Sequence, residues 1–220
     1  MNGAMLRAAV VAGAVALPAL ARAQVERLNG RVDERTRTAV AAIVDSARGA
    51  GVPADPLVNK ALEGASKGAD GSRIVVAVRA LAADLAGARA ALGHAATGAE
   101  LVAGAAALRA GVAPLFVARL RGAYPRELLV VPLAVMADLV ARGVPADTAA
   151  QSVLALMQEG VRDADLVAFR QSVERDIALG APAGGAVEAR IGALSSTSAV
   201  PAPIGGEGPG NPTARPPRKP

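Results

Sequence analysis

Apolar residues recur along this chain at three-, four- and seven-residue steps, the mark of one buried face on an α-helix. Between residues 72 and 92 that face is Ile74, Val78, Leu81, Leu85 and Leu92; between 164 and 179 it is Leu166, Phe169, Val173 and Ile177. Strand-like alternation is absent, and the abundant alanine and leucine favour helix. Glycines punctuate the pattern. Gly49, Gly68, Gly93, Gly111, Gly143, Gly160 and Gly180 each follow an apolar-periodic segment, where left-handed backbone closes a helix. Start signals face them. Asp55-Pro56 reads as an N-cap followed by proline in the first turn. Thr97-Gly98-Ala99-Glu100 fits a capping box. Asp147 and Asp163 can cap two more helices, and Pro114 and Pro125 mark two further starts. Pro132 is tolerable only near a first turn or at a kink. The pattern predicts helices near 33–48, 55–67, 72–92, 98–110, 114–123, 127–142, 147–159 and 164–179.

An internal repeat overlies these elements. Gly51-Val52-Pro53-Ala54-Asp55 recurs as Gly143-Val144-Pro145-Ala146-Asp147, 92 residues on. At the same offset Leu62 meets Leu154, Gly68 meets Gly160, and Ile74-Val75 meets Leu166-Val167. The stretch 97–142 supplies a degenerate middle copy in which Gly111 stands for Gly68. Half of the offset is the length of a helical hairpin. The expected fold is all-α: an array of helical hairpins, tandem repeats of about 46 residues, with a disordered C-terminal tail. Each unit covers the apolar face of the last.

The two ends read differently. Ala8 to Leu20 is an apolar run after Arg7, and Ala21-Arg22-Ala23 gives the A-x-A pattern of a signal-peptide cleavage site. The run is shorter than the roughly 20 apolar residues of a membrane span. At the other end, Ala186 to Leu194 can form a further turn or two of helix, and Ser195 to Pro220 is rich in Ser, Gly and Pro. Such a composition buries too little apolar surface to order itself. The domain division is therefore 1–23 leader, 24–180 helical repeat domain and 181–220 tail.

Charge and composition exclude several classes. The formal charge is +5 and the pI about 10.6, yet the excess sits at the ends, in Arg7, Arg22, Arg215, Arg218 and Lys219. Residues 24–193 are close to neutral, so no footprint for DNA is expected. The tail cations can touch anionic envelope polymers, a weak, salt-sensitive attraction. With no cysteine the fold is held by packing alone, without thiol nucleophiles or thiolate metal sites. The aromatics are Phe116, Tyr124 and Phe169, too few for a sugar- or base-stacking cleft.

Candidate chemistry is sparse. His94, the one histidine, lies in a loop with no nucleophile elbow anywhere in the chain, and reads as an exposed loop residue. Asp163 and Asp165, behind Arg162, read as helix-start carboxylates rather than a cation site. Glu159 and Glu174 are placed to pair with Arg162 and Arg170. Glu63, Glu100 and Glu174 are the carboxylates nearest apolar surroundings. Glu100 is accounted for by its capping box, and Gly64 beside Glu63 suits a close approach of another helix. Gly68-Ala69-Asp70-Gly71-Ser72 lies between helices, not after a strand, and is a turn rather than a phosphate loop. No catalytic, cofactor-binding or metal-binding residue is assigned.

The run from Pro56 to Gly68, Pro-Leu-Val-Asn-Lys-Ala-Leu-Glu-Gly-Ala-Ser-Lys-Gly, resembles a stretch found in uncharacterised exported bacterial α-helical repeat proteins. Ala141-Arg142-Gly143-Val144-Pro145 and Ala164-Asp165-Leu166 are similar too, so the resemblance spans about 50–180. It implies an all-helical fold and export, and no activity. The expected function is a non-enzymatic envelope protein, a protein- or peptide-binding or structural module. The competing expectation is an all-helical peptidoglycan hydrolase using a buried carboxylate. A binder spreads its residues along one groove; a hydrolase brings two or more carboxylates into one pocket. If the leader is read correctly, intact-mass measurement of the exported form will show loss of residues 1–23, and a retained leader would overturn the expectation of export.

Overall fold

The computed structural model describes residues 24–198. The leader with its cleavage site, and the tail beyond residue 198, lie outside the described residues. After a turn of helix at 24–26 the order is α1 (Glu34–Gly49), α2 (Ala54–Ser66), α3 (Gly71–Leu92), α4 (Gly98–Ala110), α5 (Pro114–Ala123), α6 (Val130–Ala141), α7 (Ala146–Gln158), α8 (Asp163–Ala178) and α9 (Ala183–Ser198). No strand occurs among the described residues. The all-α fold read from periodicity is the fold observed.

The helices form two rows. α1, α3, α5, α7 and α9 each pack on the next odd-numbered helix, and α4, α6 and α8 do the same. Rungs between the rows join α1 to α2, α2 to α3, α3 to α4, α6 to α7 and α8 to α9. Contacts along the edges give the directions. Arg109 near the end of α4 pairs with Asp84 of α3, and a Cβ on Gly104 would sit 3.3 Å from Ala88 Cβ, so neighbours across the rows are antiparallel. Within a row they are parallel. Asp138 pairs with Arg170 at 3.0 Å and Arg142 with Glu174 at 3.5 Å, tying α6 to α8 at two levels. The core between the rows mixes leucines with many alanines. Leu57, Leu85, Leu101, Leu133 and Leu166 are fully buried, alongside Ala61, Ala88, Ala107, Ala149 and Ala150. Small residues allow axes to approach toward the short end of the usual range of about 8–10 Å.

The recurring pentapeptide is a helix-to-helix turn. Gly51 takes φ +74° and donates to Arg48 O at 2.9 Å, while Val52 N–H returns to Ala47 O at 2.9 Å. Gly143 takes φ +91° and Val144 N–H returns to Leu139 O at 3.1 Å. These are Schellman closures, and each valine after the glycine is buried, 2 % exposed. Pro53 and Pro145 then hold extended backbone, and a 13-residue helix starts at the next residue in both copies. The turn and first helix of the repeat are thus the same at both ends. The spacing between copies is uneven. The third 13-residue helix is α4, so the starts lie at 54, 98 and 146, and the middle copy carries two helices, α5 and α6, where its neighbours carry one.

Several expected boundaries shift for identifiable reasons. Gly49 is the last residue of α1 rather than its stop; Gly51 takes the left-handed position. Asp55, Asp147 and Asp163 are not N-caps. They lie in the first turns of α2, α7 and α8, where the flanking residues Pro53, Pro145 and Arg162 cap without a side-chain bond. A carboxylate in the first turn still faces the positive end of the helix. Asp33 and Asp70 are the real side-chain caps of α1 and α3. Pro114 does open α5, whereas Pro125 falls in the following loop; Pro132 sits, buried, in the first turn of α6. The division at residue 180 also moves. α9 follows it and buries Ala186 and Val187 against the array, and Arg190 grips Asp176 of α8 through two bonds of 2.6 Å. The helical domain runs on through α9.

Gly71 marks the tightest crossing. An added Cβ would lie 1.9 Å from Thr36 Oγ1 and 2.8 Å from Asp33 Oδ2, so Gly71→Ala must push α3 off α1. Gly87, mid-helix in α3, has only Leu108 Cδ1 at 3.6 Å from such a Cβ. Chemical denaturation should show Gly71→Ala destabilised by about 1–3 kcal/mol, and Gly87→Ala stabilised by about 0.5–1 kcal/mol.

Candidate functional site

The parallel packing of α1 on α3 leaves a groove along their outer seam. α3 starts against α1's first turn, at Thr36 and Gly71. It ends level with α1's last turn, where the Arg89 guanidinium donates to Gly51 O. Two adjoining clefts of about 560 and 520 Å³ share Ala39 and together follow the seam. The floor is apolar: Ala39, Ala42 and Ile43 from α1, and Val75, Val76, Ala82 and Ala86 from α3. The polar groups are at the edges. Arg35 lines the first cleft and Arg79 the second, and neither forms an ion pair among the described residues. Asp33 is already committed. It accepts from Thr36 N–H at 2.9 Å and Thr36 Oγ1 at 2.6 Å, which hold its carboxyl below the ordinary value.

A second, more polar cleft of about 670 Å³ opens between residues 27–31 and α2. Arg27, Arg31, Asn59 and Glu63 line it. Arg27 donates to Asn59 at 2.9 Å, and Lys60 and Lys67 hold Glu63. Hydrogen bonds from Lys67 and then Lys60 bring the Glu63 carboxyl down to about 2. A general acid needs the opposite displacement.

Glu100 is the buried carboxylate among the described residues, 2 % exposed. Oε2 accepts from Thr97 N–H at 2.8 Å and Thr97 Oγ1 at 2.9 Å, and Thr97 Oγ1 accepts from Glu100 N–H, completing the expected capping box. Oε1 accepts from Leu129 N–H at 3.0 Å and from the Arg121 guanidinium. Burial raises its carboxyl, but the backbone N–H groups of Thr97 and Leu129, the Thr97 hydroxyl and Arg121 together outweigh it and leave the group below its ordinary value. Both oxygens are taken, so Glu100 has no free acceptor for a substrate. Arg121 also donates to the carbonyls of Tyr124, Pro125 and Glu127, at 3.2–3.3 Å. Arg89 does the same for Gly93, His94 and Ala96, at 3.0–3.2 Å. These two arginines close the loops after α3 and α5, where a planar fork of donors suits several converging carbonyls.

The remaining expectations sort plainly. His94 is exposed and its carbonyl, not its ring, is engaged by Arg89. Asp163 and Asp165 open α8, and Asp165 lies 3.5 Å from Arg162. Arg162 thus pairs forward, not with Glu159. Glu174 pairs with Arg170 at 3.2 Å as expected. A Cβ on Gly64 would lie 2.8 Å from Ile74 Cγ1, the close approach inferred for that glycine. Sequence reasoning missed Arg89 and Arg121, because their partners are backbone carbonyls whose positions only the folded loops define. Asp33 and Asp70 carried a legible signal, an aspartate directly before a helical run.

Among the described residues no group of three or more His, Asp or Glu is placed to hold a metal ion. No described helix is long and apolar enough to cross a membrane. No protein-family model, curated protein or solved structure matches this chain.

Glu100→Gln should cost about 2–4 kcal/mol at neutral pH, because it leaves the Arg121 guanidinium without its counter-charge. The native carboxyl lies below its ordinary value of 4.5, so its contribution is present above pH 4.5 and lost as pH falls through the native value. Denaturation curves of wild type and variant should therefore converge in acid. A constant gap from pH 7 down to pH 3 would show that the charge is not the source.

Proposed function

We propose that this chain is an exported, non-enzymatic helical-repeat protein of the bacterial envelope that binds a peptide or protein segment along the α1–α3 groove. The observation that carries this reading is how polar and apolar groups are distributed. Two clefts join at Ala39 into one apolar channel edged by Arg35 and Arg79, whereas none of the clefts described above brings two carboxylates together. A hydrolase of the kind weighed from the sequence needs a carboxyl displaced upward in a pocket. Glu63 and Glu100 are both displaced downward. The A-x-A leader supports export.

The groove's chemistry suits a segment with a narrow apolar face and carboxylates at its edges. Its length follows α1, 16 residues or about 24 Å at 1.5 Å per residue, which accommodates a helical segment of three to four turns. Stacked helices offer such extended surfaces. The step from fold to binding is an analogy, and a direct comparison tests it. Wild type and Ala42→Trp, which fills the exposed floor, are used to capture partners from envelope extract. A partner held by wild type and lost by Ala42→Trp is expected. Arg79→Glu should weaken a peptide from that partner by about five-fold, the scale of one exposed ion pair. Capture unaffected by either substitution would sink the groove as the binding surface.

A further inference from the structure

The α1–α3 groove carries two cations that the fold itself does not use. Arg35 and Arg79 are both exposed, and neither makes an ion pair or a side-chain hydrogen bond within the described residues. Arginines that hold the fold are engaged: Arg89 and Arg121 bind loop carbonyls, and Arg109, Arg170 and Arg190 pair with carboxylates of other helices. The groove supplies no free anion of its own. Asp33 lines the first cleft, but both its oxygens accept from Thr36, and no carboxylate lines the second. Between the two cations the floor is apolar, and Val76 lies 64 % exposed on it.

The two guanidiniums stand on opposite edges and at different heights. Arg35 precedes Thr36, which meets Gly71 at the start of α3; Arg79 lies eight residues beyond Gly71. Because α1 and α3 run parallel, the two positions differ by about nine residues of rise, roughly 13 Å at 1.5 Å per residue. On a helix lying in the groove, nine residues are also about two and a half turns, so side chains that far apart leave opposite flanks. A helix therefore meets both arginines at once when it carries one acid on each flank of its apolar stripe, about nine positions apart. An extended segment would cover the same distance in about four residues, so the spacing reports the bound conformation. A guanidinium pairs best with a planar carboxylate, through two parallel N–H donors. We infer that the α1–α3 groove selects an acidic amphipathic helix with this spacing, Arg35 receiving one carboxylate and Arg79 the other. This specificity presupposes that the groove is the binding surface, and adds the partner's charge pattern and the residues that read it.

A displayed library of five-turn peptides, about 18 residues, tests this. Each peptide carries a fixed leucine and alanine stripe at helical spacing and randomised flanks. Selection uses residues 24–220, which contain the whole described fold, and clones that also bind Ala42→Trp are discarded as binding elsewhere. The expected result is enrichment of Asp or Glu at two flank positions about nine apart. On Arg35→Glu one of these positions should turn to Lys or Arg while the other stays acidic; on Arg79→Glu the other should turn. This exchange reads contact rather than stability, and circular dichroism should show both variants as helical as wild type. A selected peptide should lose about five-fold in affinity for each acid replaced by Ala, the scale of one exposed ion pair. Groove-dependent clones that lack acids, carry them on one flank only, or ignore both charge reversals overturn the specificity and leave the groove as a binding surface. Recovery of no clone that Ala42→Trp abolishes overturns the groove and its specificity together.

Discussion

One buried carboxylate fixes the middle of this molecule. Glu100 receives the N–H of Thr97 at the start of α4, the N–H of Leu129 at the start of α6, and the guanidinium of Arg121 on α5. Three helices from both rows are thereby tied through one side chain. Helix starts carry unpaired N–H groups, and a carboxylate between two of them satisfies donors that burial would otherwise leave exposed to loss. Arg121 supplies the counter-charge and turns its other Nη group to the loop carbonyls before α6. Removing any member strands the others, so the cluster acts as a unit rather than as separate contacts.

That constraint matters because packing alone specifies little here. The core is rich in alanine, and alanine faces can slide past one another with little change in buried area. Position is set instead at the helix ends. Arg89 joins the end of α3 to the Gly51 turn and its own loop, Asp33 and Thr36 lock the start of α1 beneath Gly71, and the buried valines after Gly51 and Gly143 anchor the turns. Glycine at the crossings sets the distance between helices, and charged or capping groups at the ends set their register.

The same economy of side chains shapes the surface. Small residues that let α1 and α3 pack closely also leave an apolar seam on their outer side, edged by Arg35 and Arg79. Asp33, Glu63, Asp70, Glu100 and Asp176 are engaged in caps and ion pairs, which hold their carboxyls below the ordinary values and leave them suited to holding helices.

The sequence by itself determined the helices, because periodicity, glycine stops and capping residues are local and each acts within a turn or two. Thr97 and Glu100 lie three residues apart, and Gly51-Val52-Pro53 and Gly143-Val144-Pro145 are contiguous; such signals survive without knowledge of the fold. Tertiary structure decided the rest. α9 exists because Val187 is buried and Arg190 reaches Asp176 of another helix, support that its Ala-Gly-Gly start does not advertise. Arg89 and Arg121 matter because loops fold their carbonyls toward them. The groove exists because α1 and α3, 37 residues apart in the starts of their runs, lie parallel. Local patterns fix what each segment becomes; which segments meet, and what lies open between them, depends on contacts that sequence spacing does not encode.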